Sequence, residues 1–185
     1  MATAADWTVV QAEAHGVTGT RPDGTPFLAR RLDTVAPGGW TCLVRPPGGV
    51  EPARTMGFAR GEVGAAYGFA TVAATAVDIL TPTWFHVPLR RPGTWICSAL
   101  VGEALRCGGW YARWPDIYQV TPAQLMSALL ASGGREIEVA DAQPGDVGFA
   151  HGAGFLSGAI RFGQHLARES DWQVNHAFLV DRRVA

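Results

Sequence analysis

Apolar and polar positions along the chain alternate in short runs broken by glycine and proline. Thr8–Ala14 (TVVQAEA) has the period of a strand with a polar residue set into it. Gly16–Pro26 is turn-rich, and Phe27–Asp33 and Trp40–Arg45 are two further strand candidates separated by a Pro-Gly-Gly turn. Pro46–Pro52 reads as a loop. Ala53–Leu80 is Ala-rich and helical in pattern, with a break near Gly61–Gly68, and Thr81–Thr94 is irregular, with prolines and aromatics. A helix is expected from Cys97 to Arg106, stopped by Gly108-Gly109. Thr121-Pro122 opens the next helix, with Thr as N-cap and Pro in the first turn, and Gly133-Gly134 closes it. Asp146–Ala150 is a short strand after the turn Gln143-Pro144-Gly145. Gly154–Gln164 has the apolar spacing of a short amphipathic helix, and Val174–Val180 is the last strand. No repeat or linker divides the pattern. It predicts a single domain over residues 1–185 that contains both strands and helices.

Composition narrows the function. The 185 residues are 48% apolar and 17% charged, enough apolar material for a core in a single domain. A formal net charge of −1 gives no field that would gather nucleic acid or an anionic membrane, and every basic side chain is Arg. Ala65–Leu80 comes nearest to a bilayer span but is too short and carries Tyr67, Thr71, Thr75 and Asp78, so no membrane span is expected. Met1–Asp6 has neither a basic nor an apolar signal region, from which a cytoplasmic or phage-delivered protein is expected. Cys42, Cys97 and Cys107 do not make an even disulfide set. The last two, on one expected helix, lie about 15 Å apart at the helical rise and cannot bridge. A reducing compartment fits this usage. His86, His151 and His165 have no ligand spacing to one another or to the cysteines, so neither a metal nor a cofactor is expected.

The candidate chemistry gathers at three places. In Trp95-Ile96-Cys97-Ser98 a cysteine stands at the start of a helix, where terminal amides and the macrodipole favour a thiolate. In Asn175-His176-Ala177-Phe178 a histidine opens an apolar strand, from which its ring is placed to act as the base of that cysteine. Either residue by itself reads as readily as a buried structural side chain; the pairing is what suggests a site. On the first strand, Gln11 is placed to accept the imidazole N–H and fix its tautomer. Glu13, two residues on and on the same face, is the competing orienter. Cys42 and Cys107 lack this setting and read as core.

These segments resemble the NlpC/P60 superfamily of papain-like cysteine peptidases, especially its circularly permuted, YiiX/LRAT-like branch. The pieces that carry the resemblance are ICSALVGEALRCGG, VTPAQLMSAL, PGDVGFAHGAGFLSGAIRFG, NHAFLV and TVVQAEAHGV, which together cover well over half the chain. The resemblance implies an α+β, papain-like fold, a small antiparallel sheet packed against helices, with Cys97 as nucleophile at a helix N-terminus, His176 as base and Gln11 as the third polar residue. It also implies a substrate groove near Trp95, Ser98 and Asn175. The typical substrate of the superfamily is a peptidoglycan stem peptide; the LRAT-like relatives act instead as thiol acyltransferases or lipid amide/ester hydrolases. A non-catalytic module of the same fold is the alternative from another class. The order of the pieces departs from both known arrangements: the third-residue strand opens the chain, the Cys helix is central and the His strand closes it. Joining Ala185 to Met1 restores the permuted order, so a further circular permutation is expected, with Thr8–Ala14 and Val174–Val180 antiparallel neighbours. A monomer pairs these strands within one chain; the other possibility is a strand-exchanged dimer.

Overall fold

The computed structural model of the chain describes residues 2–36, 40–73, 93–111, 120–151, 174 and 176–183. Ten strands fall among them: β1 (Trp7–Glu13), β2 (Gly16–Thr20), β3 (Pro26–Phe27), β4 (Arg30–Arg31), β5 (Trp40–Arg45), β6 (Ala66–Tyr67), β7 (Thr94–Trp95), β8 (Arg135–Ile137), β9 (Val147–His151) and β10 (His176–Arg183). With them are the helices α1 (Pro52–Gly61), α2 (Cys97–Cys107) and α3 (Pro122–Ala131). The main sheet runs β3-β2-β1-β10-β9-β5-β8 with β4 also on β1, and its pairs are antiparallel. The α+β expectation is therefore met. No helix among the described residues is long and apolar enough to cross a membrane.

Strand alternation sorts side chains onto the two sheet faces. Val10, Ala12, Val44, Phe149, Ala177 and Leu179 meet the helices, packing with Met56, Leu100, Leu105 and Leu125. Trp7, Val9, Leu43, Ala150, Phe178 and Val180 form a second, smaller core on the opposite face, closed by the short 3-10 turns around Leu32 and Val139. Burying each large aliphatic or aromatic side chain contributes ~1.5–3 kcal/mol, and both faces are needed to hold the central strands.

The strands at the two ends of the chain lie side by side. β1 pairs antiparallel with β10, Val9 opposite Val180 and Val10 opposite Leu179, within one chain. The Pro-Gly-Asp turn supports the same strand. Gly145 takes φ +93, its N–H donates to the Val180 carbonyl at 2.9 Å, and the Val180 N–H donates to the Asp146 carbonyl at 2.8 Å. Asp146 is buried against Arg45, which donates to both its carboxylate oxygens at 3.1 and 3.0 Å.

Local structure differs from the sequence pattern in several places. The turn-rich stretch after Gly16 holds a strand, β2, because Gly16 (φ +109) makes the turn and Val17 and Thr18 are then buried against β1. The strand expected over Phe27–Asp33 is broken into two short bridges and a 3-10 turn, with Leu28 at φ +46 between them. The break expected near Gly61–Gly68 is present, with α1 ending at Gly61 and residues 69–73 helical again, but it also holds the short strand β6. β8 was not legible in the pattern. The helix expected over Gly154–Gln164, the irregular segment to residue 92, His86, His165 and Asn175 lie outside the described residues.

Candidate functional site

β10 starts at His176, and the ladder with β9 sets its side chain opposite Ala150. It leaves the strand on the face of Phe178, whose ring centroid is 6.2 Å away, and of Val180. β1 brings Gln11 to the same face. His176 Nε2 and Gln11 Oε1 are 2.8 Å apart, so the polar residue set into the first strand meets the histidine of the last. Gln11 Nε2 in turn donates to Glu13 Oε1 at 2.6 Å, and Arg30 Nε stands 3.2 Å from that carboxylate oxygen. Gln11 and Glu13 thus act in series on this face. β4 supplies Arg30 because it pairs with the first half of β1, Val9 opposite Arg30. Burial, and then the Arg30 charge, lower the His176 pKa from 6.5 to about 4, which keeps the imidazole neutral at ordinary pH.

β7 leads straight into α2, which opens at Cys97 after Ile96 in extended conformation. The parallel bridge with β6 sets Tyr67 beside Trp95, and the Gly68 N–H donates to the Trp95 carbonyl at 2.9 Å. This lays Tyr67 within electrostatic reach of Cys97. Burial first, and the nearby thiol second, raise the phenol pKa. Cys97 itself is 8% exposed. Its sulfur rests against the N–H of Ala177 and the amides of residues 97 and 98, all of which favour a thiolate, but burial outweighs them and its pKa is raised. The expected depression of this thiol by the helix terminus is therefore not met in this arrangement: the desolvation of a fully enclosed sulfur is the larger effect. Burial also raises Cys42, to about 11, and Cys107.

Cys97 and His176 meet the same strand from different sides. α2 packs on the face of Ala177 and Leu179, whereas His176 points with Phe178 and Val180. Among the described residues no hydrogen bond joins the thiol to the imidazole; the sulfur lies against the amide of the very next residue, Ala177. His176 is the first residue of β10, so its ring stands at the end of the strand.

The groove residues expected from the sequence fall differently. Trp95 is buried, its indole N–H donates to Glu62 Oε2 at 2.7 Å, and its ring packs edge-on to Phe58 at 5.7 Å; it is core. Ser98 is also buried, donating to the Val120 carbonyl at 2.5 Å, which ties α2 to the segment that enters α3. Among the described residues both polar atoms are engaged inside the fold. Arg30 and Tyr67 carried no sequence signal: each reaches the site only through a two-residue bridge. The alternation of Gln11 and Glu13 was visible, their serial arrangement was not. No cluster of His, Cys, Asp or Glu suited to a metal ion occurs among the described residues. Comparison with protein-family models, with curated proteins and with solved structures finds no match to this chain.

Proposed function

We propose that the chain is a papain-like thiol hydrolase in which Cys97 attacks an amide carbonyl and His176 serves as its base. The observation that carries the reading is the His176–Gln11 hydrogen bond at 2.8 Å, one residue from the amide on which the Cys97 sulfur rests. Gln11 occupies Nε2, which leaves Nδ1 to take the thiol proton. The sulfur then adds to the carbonyl, the oxyanion lies against the amides at the start of α2, and the protonated imidazole delivers its proton to the leaving amine. Water activated by His176 releases the acyl group. The resting thiol and imidazole are both neutral, so bringing Nδ1 to the sulfur past the end of β10 is the conformational step the reading requires. The substrate favoured by the sequence resemblance is a peptidoglycan-type peptide; acyl transfer from a lipid ester or amide uses the same atoms with a different acceptor.

A second reading, a non-catalytic module of the same fold, is favoured by the raised Cys97 pKa and by His176 standing on the far sheet face. Incubation with peptidoglycan fragments and with acyl-lipid substrates, followed by mass spectrometry of Cys97, separates the two. An acyl adduct on Cys97, lost in His176→Ala, and turnover abolished in Cys97→Ser with the fold retained, are the expected results. Absence of any adduct, together with a Cys97 inert to iodoacetamide at neutral pH, would favour the binding module instead.

A further inference from the structure

Of the side chains that meet the Gln11 amide from behind, one can act in only one sense. A glutamine amide offers a carbonyl on one side and an NH2 on the other, and can turn either towards an imidazole. The Thr18 hydroxyl, opposite Gln11 on β2 and fully buried without a hydrogen-bond partner among the described residues, both donates and accepts, so it imposes no direction. Glu13 is different: its carboxylate, paired with Arg30 at 3.2 Å, accepts only. It therefore takes the Gln11 NH2, at 2.6 Å, and turns the Gln11 carbonyl to His176. Facing a carbonyl at 2.8 Å, Nε2 must carry the proton and Nδ1 the lone pair.

We propose that Glu13, held by Arg30, is a positioning residue that sets the tautomer of His176 through the Gln11 amide. Glu13 touches no reacting group; it acts through Gln11, and Arg30 keeps its carboxylate in place. The proposal rests on the His176 site of the preceding section, but the tautomer is a property of the resting protein and is measured without turnover.

The test is nitrogen NMR of the imidazole in 15N-histidine-labelled protein near pH 7, with His176 assigned by the loss of its signals in His176→Gln. The parent protein is expected to show His176 as the Nε2–H form alone. In Glu13→Gln the new side chain can still accept from the Gln11 NH2, and the Nε2–H form should persist. The decisive variant is the charge swap Glu13→Lys with Arg30→Glu. It restores the ion pair, but the residue at position 13 now only donates, so the Gln11 amide should turn and the Nδ1–H form should predominate. An Nε2–H form that survives the swap in a folded protein, or a parent protein in the Nδ1–H form, would overturn the proposal. Should the swapped protein not fold, Glu13→Leu is read instead: with the acceptor gone, an Nδ1–H signal must appear beside the parent one, and its absence overturns the proposal equally. Failure of the thiol-hydrolase reading shows separately, as no acyl adduct on Cys97 in a parent protein whose tautomer is as described.

Discussion

At the scale of single residues, the site is a contest between desolvation and hydrogen bonding. Cys97 has three backbone amides around its sulfur, and His176 has a full hydrogen bond at Nε2, yet burial decides both charges and leaves both groups neutral. The His176 shift has a thermodynamic consequence. A folded pKa lowered to about 4 from 6.5 means that the unfolded chain binds the proton more readily, so stability rises with pH in this window. The contribution is fully present above 6.5 and is lost as pH falls towards 4. Urea unfolding of the parent protein and of His176→Gln should therefore give a constant difference in midpoint above about pH 7 and a relative loss for the parent between 6.5 and 4. Parallel curves through that window would show that the imidazole is not buried neutral.

At the scale of elements, an ion pair ties α1 to the last strand. Arg60 at the end of α1 reaches Asp181 of β10, Nε 3.3 Å from Oδ2 with a second, closer contact from its terminal nitrogen to Oδ1. Asp181 is fully buried and also accepts the Arg182 N–H at 2.7 Å. Removing the cation strands a buried carboxylate, which costs about 3–5 kcal/mol. Arg60→Met should lose that much by denaturant melt, and adding Asp181→Leu should recover most of it; a silent Arg60→Met would mean that water already reaches Asp181. The elements that depend on local signals were readable in the sequence. Thr121 caps α3 as expected, accepting the Gln124 N–H at 3.2 Å while the Gln124 side chain accepts the Thr121 N–H at 2.9 Å. β2, β6 and β8 were not readable, because short strands of mixed polarity are held by their neighbours and not by their own pattern.

At the scale of the whole molecule, the first and last strands are neighbours in the middle of the main sheet. β1 and β10 are neighbours from Trp7 opposite Arg183 inward, so the ends of the chain enter and leave the sheet side by side. Linking Ala185 to Met1 through a short Gly/Ser loop and opening the chain at the exposed Asp23-Gly24 turn should give a protein with the parent's circular dichroism spectrum and a thermal midpoint within several degrees. Opening it between Gly148 and Phe149 in β9 instead should abolish folding, because that strand is paired on both sides. Equal tolerance of both cuts would contradict the sheet order.

The sequence by itself determined the strand that carries Gln11, the strand that begins with His176, the start of α2 at Cys97 and the capped α3. Each of these depends on period, capping or breaker chemistry contained within a dozen residues. The pairing of the first and last strands was an expectation drawn from the family resemblance, and the sheet contains it, Val9 opposite Val180 and Val10 opposite Leu179. Only the tertiary structure decided which sheet face each side chain takes and what stands behind it. One residue of register moves His176 from the α2 face to the opposite one. The order Arg30, Glu13, Gln11, His176 exists because β4 and β10 flank β1, a relation between residues far apart in the chain. The charge state of Cys97 likewise depends on how completely the fold encloses its sulfur, and enclosure is a sum over neighbours that no local pattern contains.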